Sequence, residues 1–506
     1  MPGKDQLKTP IFDALVNYVN DDITPFHMPG HKKGKGAASR LTDFLGRNFL
    51  AIDVTGVEGM DDLHEPQGII KEAQELAAEA FGADHSFFLI NGTSSGIHGM
   101  ILATCNPGDK IIIPRNAHRS IVSGVILAGA KPVYMQPEID NELGVAMGVT
   151  PETVEATLKE HPDAKAVMVI NPTYYGVTTD LAKIVEIAHS YDKPVLVDEA
   201  HGPHLNFHPD LPITAMEAGA DLCAQGVHKI IGGMTQASIL HVRKGRIDIA
   251  RLKGMLRLVQ STSTSYLLLT SLDMSRMQMA TEGKELLDKT LALAAQARER
   301  INQVSGLSCF GKEIIGGPGR FDLDTTKLTI CVKGAGFTGQ EVEIILRYDY
   351  GIQVELADLY NVLCIVSIGD TQESIDKLIN ALADMVKTKT PDPENPEFFQ
   401  ELQLHGQIPA IPKQIMTPRN ALFASSQTVP FDELEEYISA EVIASYPPGI
   451  PIICPGEEFS KEIMDYLRLI KEAGIRIQGP QDASLETIKV VKEWYGGDED
   501  VPMPGK

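Results

Sequence analysis

Gly226-Val227-His228-Lys229 follows the apolar run Ala220-Asp221-Leu222-Cys223-Ala224 and precedes Gly232-Gly233, and the fold is read outward from it. Upstream, Val195-Leu196-Val197-Asp198-Glu199-Ala200-His201-Gly202 is a second apolar run that ends in charged and imidazole groups. A lysine at a strand end, where burial can lower its pKa, can offer a neutral amine for a Schiff base. An aspartate on a neighbouring strand end can keep a pyridine nitrogen protonated. Together they point to pyridoxal phosphate (PLP).

Around these two runs the chain alternates helical periodicity with short apolar segments. Helices are expected over 10–20 and 70–81 and a strand over 85–90. Further strands are expected over 110–113, 132–135, 166–170, 194–198, 222–224 and 238–242, most of them separated by helix-sized segments. Thr150-Pro151 marks a helix start, with Thr150 as N-cap and Pro151 in the first turn. Such alternation, with strands apolar throughout, implies a mostly parallel sheet covered by helices, with ligands beyond the carboxyl ends of the strands. Two long helices follow, over about 246–259 and 265–304. A smaller α/β unit comes next, with strands over 327–332, 352–355 and 362–367 and helices over 340–350 and 373–387. Thr388 to Pro396, rich in proline, reads as a linker. The division expected is an N-terminal arm (1–50), a large PLP-binding domain (51–264), a long helix with a small α/β domain (265–390) and a C-terminal α+β domain (391–506).

Composition excludes several classes. At 506 residues there is room for more than one core, and 43% hydrophobic with 22% charged residues is ordinary for a globular protein. No apolar run reaches the ~18 to 20 residues of a membrane span, and Met1-Pro2-Gly3-Lys4-Asp5 lacks the apolar core of a signal peptide. A cytoplasmic protein with no membrane partner is expected. The net charge of -23 disfavours nucleic acid. Cys105, Cys223, Cys309, Cys331, Cys364 and Cys454 show no Cys-x-x-Cys spacing, which argues for reduced core residues and against a zinc site. No metal is expected.

Other segments carry chemistry less specifically. Asn91-Gly92-Thr93-Ser94-Ser95-Gly96 ends a strand, and an apolar helix is expected from Ile97, so its N–H groups and hydroxyls suit a phosphate. Ordinary capping by Ser and Thr is the plain alternative. Asp198-Glu199-Ala200-His201 also spells a helicase metal box, but the chain lacks the upstream phosphate loop and the basic face that a helicase needs. Zinc on His201 and His204 is disfavoured by Pro203 between them. His118, in Pro114-Arg115-Asn116-Ala117-His118-Arg119, is a cap or surface group by default, but it can stack on a flat cofactor and move protons. The Pro/Gly-rich Pro25-Phe26-His27-Met28-Pro29-Gly30-His31-Lys32-Lys33-Gly34 is either a loop reaching an active site or a structural arm.

Phe26-His27-Met28-Pro29-Gly30-His31, Gly92-Thr93-Ser94, Arg115-Asn116-Ala117-His118, Asn171-Pro172-Thr173-Tyr174, Val197-Asp198-Glu199-Ala200-His201-Gly202 and Val227-His228-Lys229 occur in one order along the chain. Met416-Thr417-Pro418-Arg419 and Tyr446-Pro447-Pro448-Gly449 follow. The set resembles the fold-type I PLP decarboxylases of ornithine, lysine and arginine, most nearly the short bacterial form that makes agmatine from arginine. The resemblance implies an aspartate-aminotransferase-like fold and an active site shared in a homodimer or higher even-numbered homo-oligomer. It assigns Lys229 to the coenzyme aldehyde, Asp198 to the pyridine nitrogen, His118 to the ring face and Thr93, Ser94 and Ser95 to the phosphate. His201 stands where longer members carry an aromatic residue near the ring, and His228 precedes the lysine as in the family. One departure is Gly226, where the family usually has serine, so a phosphate contact is either missing or supplied by Ser261, Thr262 or Ser263 of a partner subunit.

The chemistry expected is loss of CO2 from a basic amino acid, L-arginine before lysine or ornithine, with His201 or Lys229 returning the proton to Cα. Glu355, then Asp358, in Val354-Glu355-Leu356-Ala357-Asp358-Leu359-Tyr360, is the carboxylate for the cationic tail of the substrate. The alternatives are a PLP aminotransferase or α-oxoamine synthase, with Arg347 as a possible carboxylate partner, and a non-catalytic relative.

Overall fold

The computed structural model describes residues 3–21, 23–397, 399, 409–445, 450–472 and 475–493. The motif Tyr446-Pro447-Pro448-Gly449 lies outside them. The chain forms two compact units, Met1–Ala103 with Pro194–Lys289, and Thr104–Lys193 with Thr290–Lys506.

In the first unit, the strands His85–Leu89, Ser238–Val242, Leu222–Gln225 and Val195–Asp198 lie side by side in that order. The first two pairings are antiparallel, and the last, Leu196 to Leu222 and Asp198 to Ala224, is parallel. That register is locked at its start by Asp221, whose carboxylate accepts from the Val195 N–H at 2.8 Å while its own N–H donates to the Val195 carbonyl at 3.0 Å. Val195, Leu196, Val197, Leu222, Cys223 and Ala224 are all fully buried, as uninterrupted apolar strands require. The first charged side chains after them, Asp198 and Glu199, fall at the carboxyl ends. The helix Ile69–Ala80 buries Ile70, Ala73, Leu76 and Ala77, a three-to-four residue spacing that puts one stripe inward. The arm begins with the expected helix Pro10–Asn20 and continues through turns in which His31 bridges Asp53 (3.1 Å) and the Gly34 N–H (3.1 Å).

In the second unit, Lys110–Pro114 pairs in parallel with Lys131–Met135 and with Val167–Ile170. Both of these pairings are parallel, as is that of Val195–Asp198 with Leu222–Gln225 in the first unit. Thr150 caps the helix Pro151–Glu160, accepting from the Thr153 N–H, with Pro151 in its first turn as expected. A separate antiparallel sheet, Ser308–Cys309, Lys327–Cys331, Asn361–Ile365 and Leu356–Ala357, packs with the helices Gly339–Asp349 and Gln372–Thr388 around Leu328, Ile330, Val342, Val362 and Leu382. A last core gathers Ile443, Ile453, Phe459, Leu467, Ile488 and Val490, with Ser425–Pro430 antiparallel to Thr487–Glu493 and the helix Lys461–Glu472.

The helices Ile249–Val259 and Tyr266–Ile301 match the two long helical periodicities. Two expectations need correction. No strand forms over 352–355: the Ile352 N–H is taken by the Leu346 carbonyl at the preceding helix end, and bonding to the next strand starts with the Glu355 N–H, which donates to the Leu363 carbonyl at 2.9 Å and leads into Leu356–Ala357. The helix expected from Ile97 instead spans Gly92–Thr104, because Gly92 adopts a positive φ of 74° and turns the chain straight into it. No helix among the described residues is long and apolar enough to cross a membrane.

Candidate active site

In the first unit, the strands Leu222–Gln225 and Val195–Asp198 run in parallel, so their carboxyl ends lie together. Beyond the first, Gly226 leads into a single tight turn, Val227–Lys229, closed by the Lys229 N–H to the Gly226 carbonyl at 3.1 Å. This presents the Lys229 amine to the His201 Nε2 at 2.6 Å. His228 is anchored by Nδ1 against the Ala237 carbonyl at 3.1 Å. At the end of the second strand, Asp198 is 5% exposed and accepts the Ala200 N–H at 3.1 Å. Burial raises the Asp198 pKa and the Lys229 cation pulls the other way, so the two groups are in electrostatic contact.

Thr93 and Ser95 are buried in the first turn of the helix Gly92–Thr104, and Ser94 is half-buried there. The Ser95 hydroxyl donates to the Gly92 carbonyl at 2.8 Å, and the Thr93 hydroxyl bonds with that of Ser238 at 3.0 Å. Gly226 has a local cause. A Cβ built there would stand 2.9 Å from the Ala200 carbonyl oxygen, 3.1 Å from Thr93 Oγ1 and 3.4 Å from Lys229 Cδ. The Thr93 hydroxyl thus crowds the space of a residue-226 side chain, and it places the helix start beside Lys229. Ser261, Thr262 and Ser263 are exposed, and the Ser261 N–H donates to Asn91 Oδ1 at 3.0 Å within this same chain.

One buried group with no role foreseen from the sequence is Glu199, whose carboxylate collects the Ala215 N–H (2.8 Å), the Cys223 thiol (3.1 Å) and Gln225 Nε2 (2.6 Å). Gln225 Oε1 in turn faces His241 Nε2 at 3.1 Å, and His241 Nδ1 meets the Ser86 hydroxyl at 2.8 Å. Burial pushes the Glu199 pKa to about 7 against the pull of these donors, and burial takes His241 down to about 3. A charged residue closing an apolar strand was the one signal in the sequence for such a network.

In the second unit, His118 is an exposed N-cap of the helix Arg119–Ala128. Its Nδ1 accepts the Ser120 N–H at 3.2 Å, which leaves the ring proton of the neutral form on Nε2. Glu355 and Asp358 differ sharply. Asp358 accepts from the Tyr175 hydroxyl (2.7 Å), the Tyr360 and Asn361 N–H groups (2.9 and 2.8 Å) and Asn361 Nδ2 (3.0 Å), and burial lifts its pKa to about 6. Its oxygens are taken up in shaping a turn. Glu355 is exposed, and among the described residues its carboxylate accepts from the Tyr174 hydroxyl, at 2.6 Å. Tyr174 was legible only as part of Asn171-Pro172-Thr173-Tyr174, with no role attached.

Residues 9–374 match the family model for the major domain of the Orn/Lys/Arg decarboxylases, and residues 402–482 match the model for their C-terminal domain. The chain belongs to the Orn/Lys/Arg decarboxylase family. It is 49% identical over 488 residues to a protein named arginine decarboxylase from Bacillus subtilis, covering 96% of this chain and 99% of that one. It is 47% identical to a Bacillus anthracis protein of the same name, covering 97% and 98%. Among solved structures, the Francisella novicida lysine decarboxylase superposes with a TM-score of 0.83 at 25% identity, over 96% of this chain and 81% of that chain. Members of this family are PLP enzymes of fold type I, the fold that the resemblance implied.

Proposed function

We propose that this chain binds PLP and decarboxylates a basic amino acid, with L-arginine as substrate and agmatine and CO2 as products. The observation that carries the reading is the Lys229 amine 2.6 Å from His201, with the buried Asp198 carboxylate at the adjoining strand end. The residues present fit the coenzyme. Lys229 would bond its aldehyde and Asp198 its ring nitrogen. Thr93, Ser94 and Ser95 would take the phosphate, and His118, His201 and His228 would flank the ring and the lysine. When bound, PLP supplies a sink for the electron pair left on Cα as CO2 departs.

The chain's own groups do the rest. Burial works against the ionised Asp198 carboxylate, so it needs a cation beside it: Lys229 lowers its pKa while the amine is free, and the ring nitrogen would take that part once Lys229 is bonded to the aldehyde. His201 shares a proton with Lys229 across the Nε2 to Nζ contact, so either atom can return a proton to Cα. Glu355, oriented by the Tyr174 hydroxyl, offers a carboxylate to a guanidinium or ammonium tail, and the planar fork of arginine suits it best. Asp358 is the weaker choice because its oxygens already serve four donors.

The division into an arm (1–50), a cofactor domain (51–264), a helix with a small α/β domain (265–390) and a last domain (391–506) belongs to the same reading. So does a cytoplasmic homodimer or higher even-numbered assembly, supported by the exposed arm residues Phe26, Met28 and Phe44 (93, 68 and 87% accessible). Incubation of the purified holoprotein with arginine, lysine and ornithine side by side, with CO2 and amine measured, tests the assignment. Release from lysine or ornithine in preference to arginine replaces the substrate, and release from none defeats the decarboxylase reading.

A further inference from the structure

The last domain has no part in the chemistry above, yet its side chains reach both ends of the helix that His118 begins. We propose that the C-terminal domain is a positioning element for the His118 segment, holding the helix Arg119–Ala128 from one side through Glu457 and Arg115 and from the other through Arg419. The inference rests on the reading of His118 as a cofactor-facing group.

At the leading end, Arg115 follows the strand Lys110–Pro114 and precedes His118 by three residues. Its N–H continues the sheet by donating to the Met135 carbonyl at 2.8 Å, while its side chain, nearly inaccessible, leaves the sheet for the last domain. There it makes a two-pronged pair with the fully buried Glu457, Nη1 to Oε1 at 2.5 Å and Nη2 to Oε2 at 2.9 Å, and Nη2 also donates to the Ile452 carbonyl at 2.8 Å. Glu457 is itself fixed by the Cys454 N–H at 2.7 Å, and the Tyr134 ring lies 4.7 Å from the guanidinium centre. A buried pair of this geometry adds little net stability compared with an apolar replacement, but it permits only one arrangement of the groups it joins.

At the trailing end, Gly129 closes the helix in the left-handed region, at φ 66°. Arg419 lies against it, with Cδ 3.3 Å from where a Gly129 Cβ would stand, and Nη1 donates to the Leu127 carbonyl at 2.9 Å and that of Ile126 at 3.3 Å. A cation at the carbonyl end is also the favourable match to the helix dipole. Arg419 belongs to the short helix Pro418–Phe423, which packs against Arg119–Ala128 and is capped by Thr417. A ten-residue helix thus takes its placement at both ends from one domain, and only Asn116 and Ala117 separate Arg115 from the imidazole.

Three variants of the full-length protein test this, each with and without PLP: Arg419→Ala, Glu457→Gln and the double replacement Arg115→Met with Glu457→Met, which removes the pair without stranding a charge. Hydrogen exchange followed by mass spectrometry is the readout independent of turnover. Amides of residues 119–128 should exchange on the order of tenfold faster, with 110–114 unchanged. In the holoenzyme, kcat should fall about tenfold while KM for arginine stays within about twofold. Unchanged exchange at the helix, or an equal rise throughout the second unit, overturns the proposal, as does raised exchange with unaltered kcat where His118→Ala itself lowers turnover. If the two Glu457 variants fail to fold, Arg419→Ala with recovery in Arg419→Lys decides it. His118→Ala separates the two readings: unaltered turnover there removes His118 from the site while the exchange result still reports on the clamp.

Discussion

Replacing Glu199 by glutamine should flatten part of the pH dependence of stability. The folded protein holds this buried carboxyl at about 7 against an ordinary 4.5. At ~1.4 kcal/mol per tenfold change, that difference is worth about 3 kcal/mol in favour of the protonated form. Because the folded value is the higher one, the native state binds the proton more tightly than the unfolded chain. Its stabilising contribution is complete below about pH 4.5, declines as pH rises, and is gone above about 7. Difference infrared spectra should show a protonated carboxyl disappearing with a midpoint near 7 in the parent and absent from Glu199→Gln. Denaturation midpoints between pH 5 and 8.5 should fall more steeply for the parent, by about 3 kcal/mol in total. Identical slopes for the two proteins would refute the assignment of a buried, proton-bearing Glu199.

Four further outcomes are expected. Borohydride treatment of the yellow holoprotein should fix the cofactor to Lys229, and Lys229→Ala should be colourless and inactive by absorbance and CO2 assay. Glu355→Gln should lower kcat/KM for arginine by about ten- to a hundredfold, the worth of a charged hydrogen bond, mainly through KM, and Tyr174→Phe by less than about tenfold. Asp358→Ala should leave the order of preference among arginine, lysine and ornithine intact but cost about 2 to 4 kcal/mol, read as a fall in melting temperature, because Tyr175 and Asn361 lose their acceptor. Gly226→Ser should weaken PLP binding, measured by equilibrium dialysis, because its Cβ would stand 2.9 Å from the Ala200 oxygen.

The strands that carry Asp198 and Lys229 were legible because a globular chain buries a short apolar run as a strand, and a charged group falls where that strand leaves the core. Helix bounds such as Pro10–Asn20 and Tyr266–Ile301 followed from periodicity and proline placement. The segment 352–355 did not, because the partner of Ile352 is a carbonyl at the end of a preceding helix, and alternation of side chains does not register that competition. In the same way, Glu355 and Asp358 looked equivalent three residues apart. They differ because Tyr175 and Asn361, distant or turn-related in sequence, converge on only one of them. Arg115 and Glu457 lie far apart along the chain, and no local pattern marks them as partners.

The hydroxyl of Thr93 and the missing side chain at 226 draw on one small volume fed by two segments far apart in the chain. A smaller residue at 93 would lift one of the contacts that bar a side chain at 226, while the Ala200 carbonyl oxygen, 2.9 Å from the added Cβ, would still have to give way. A library varied at 93 and 226 together should therefore tolerate alanine or serine at 226 more often where position 93 is small, a partial pairing that single-site scanning would record as two unrelated intolerances.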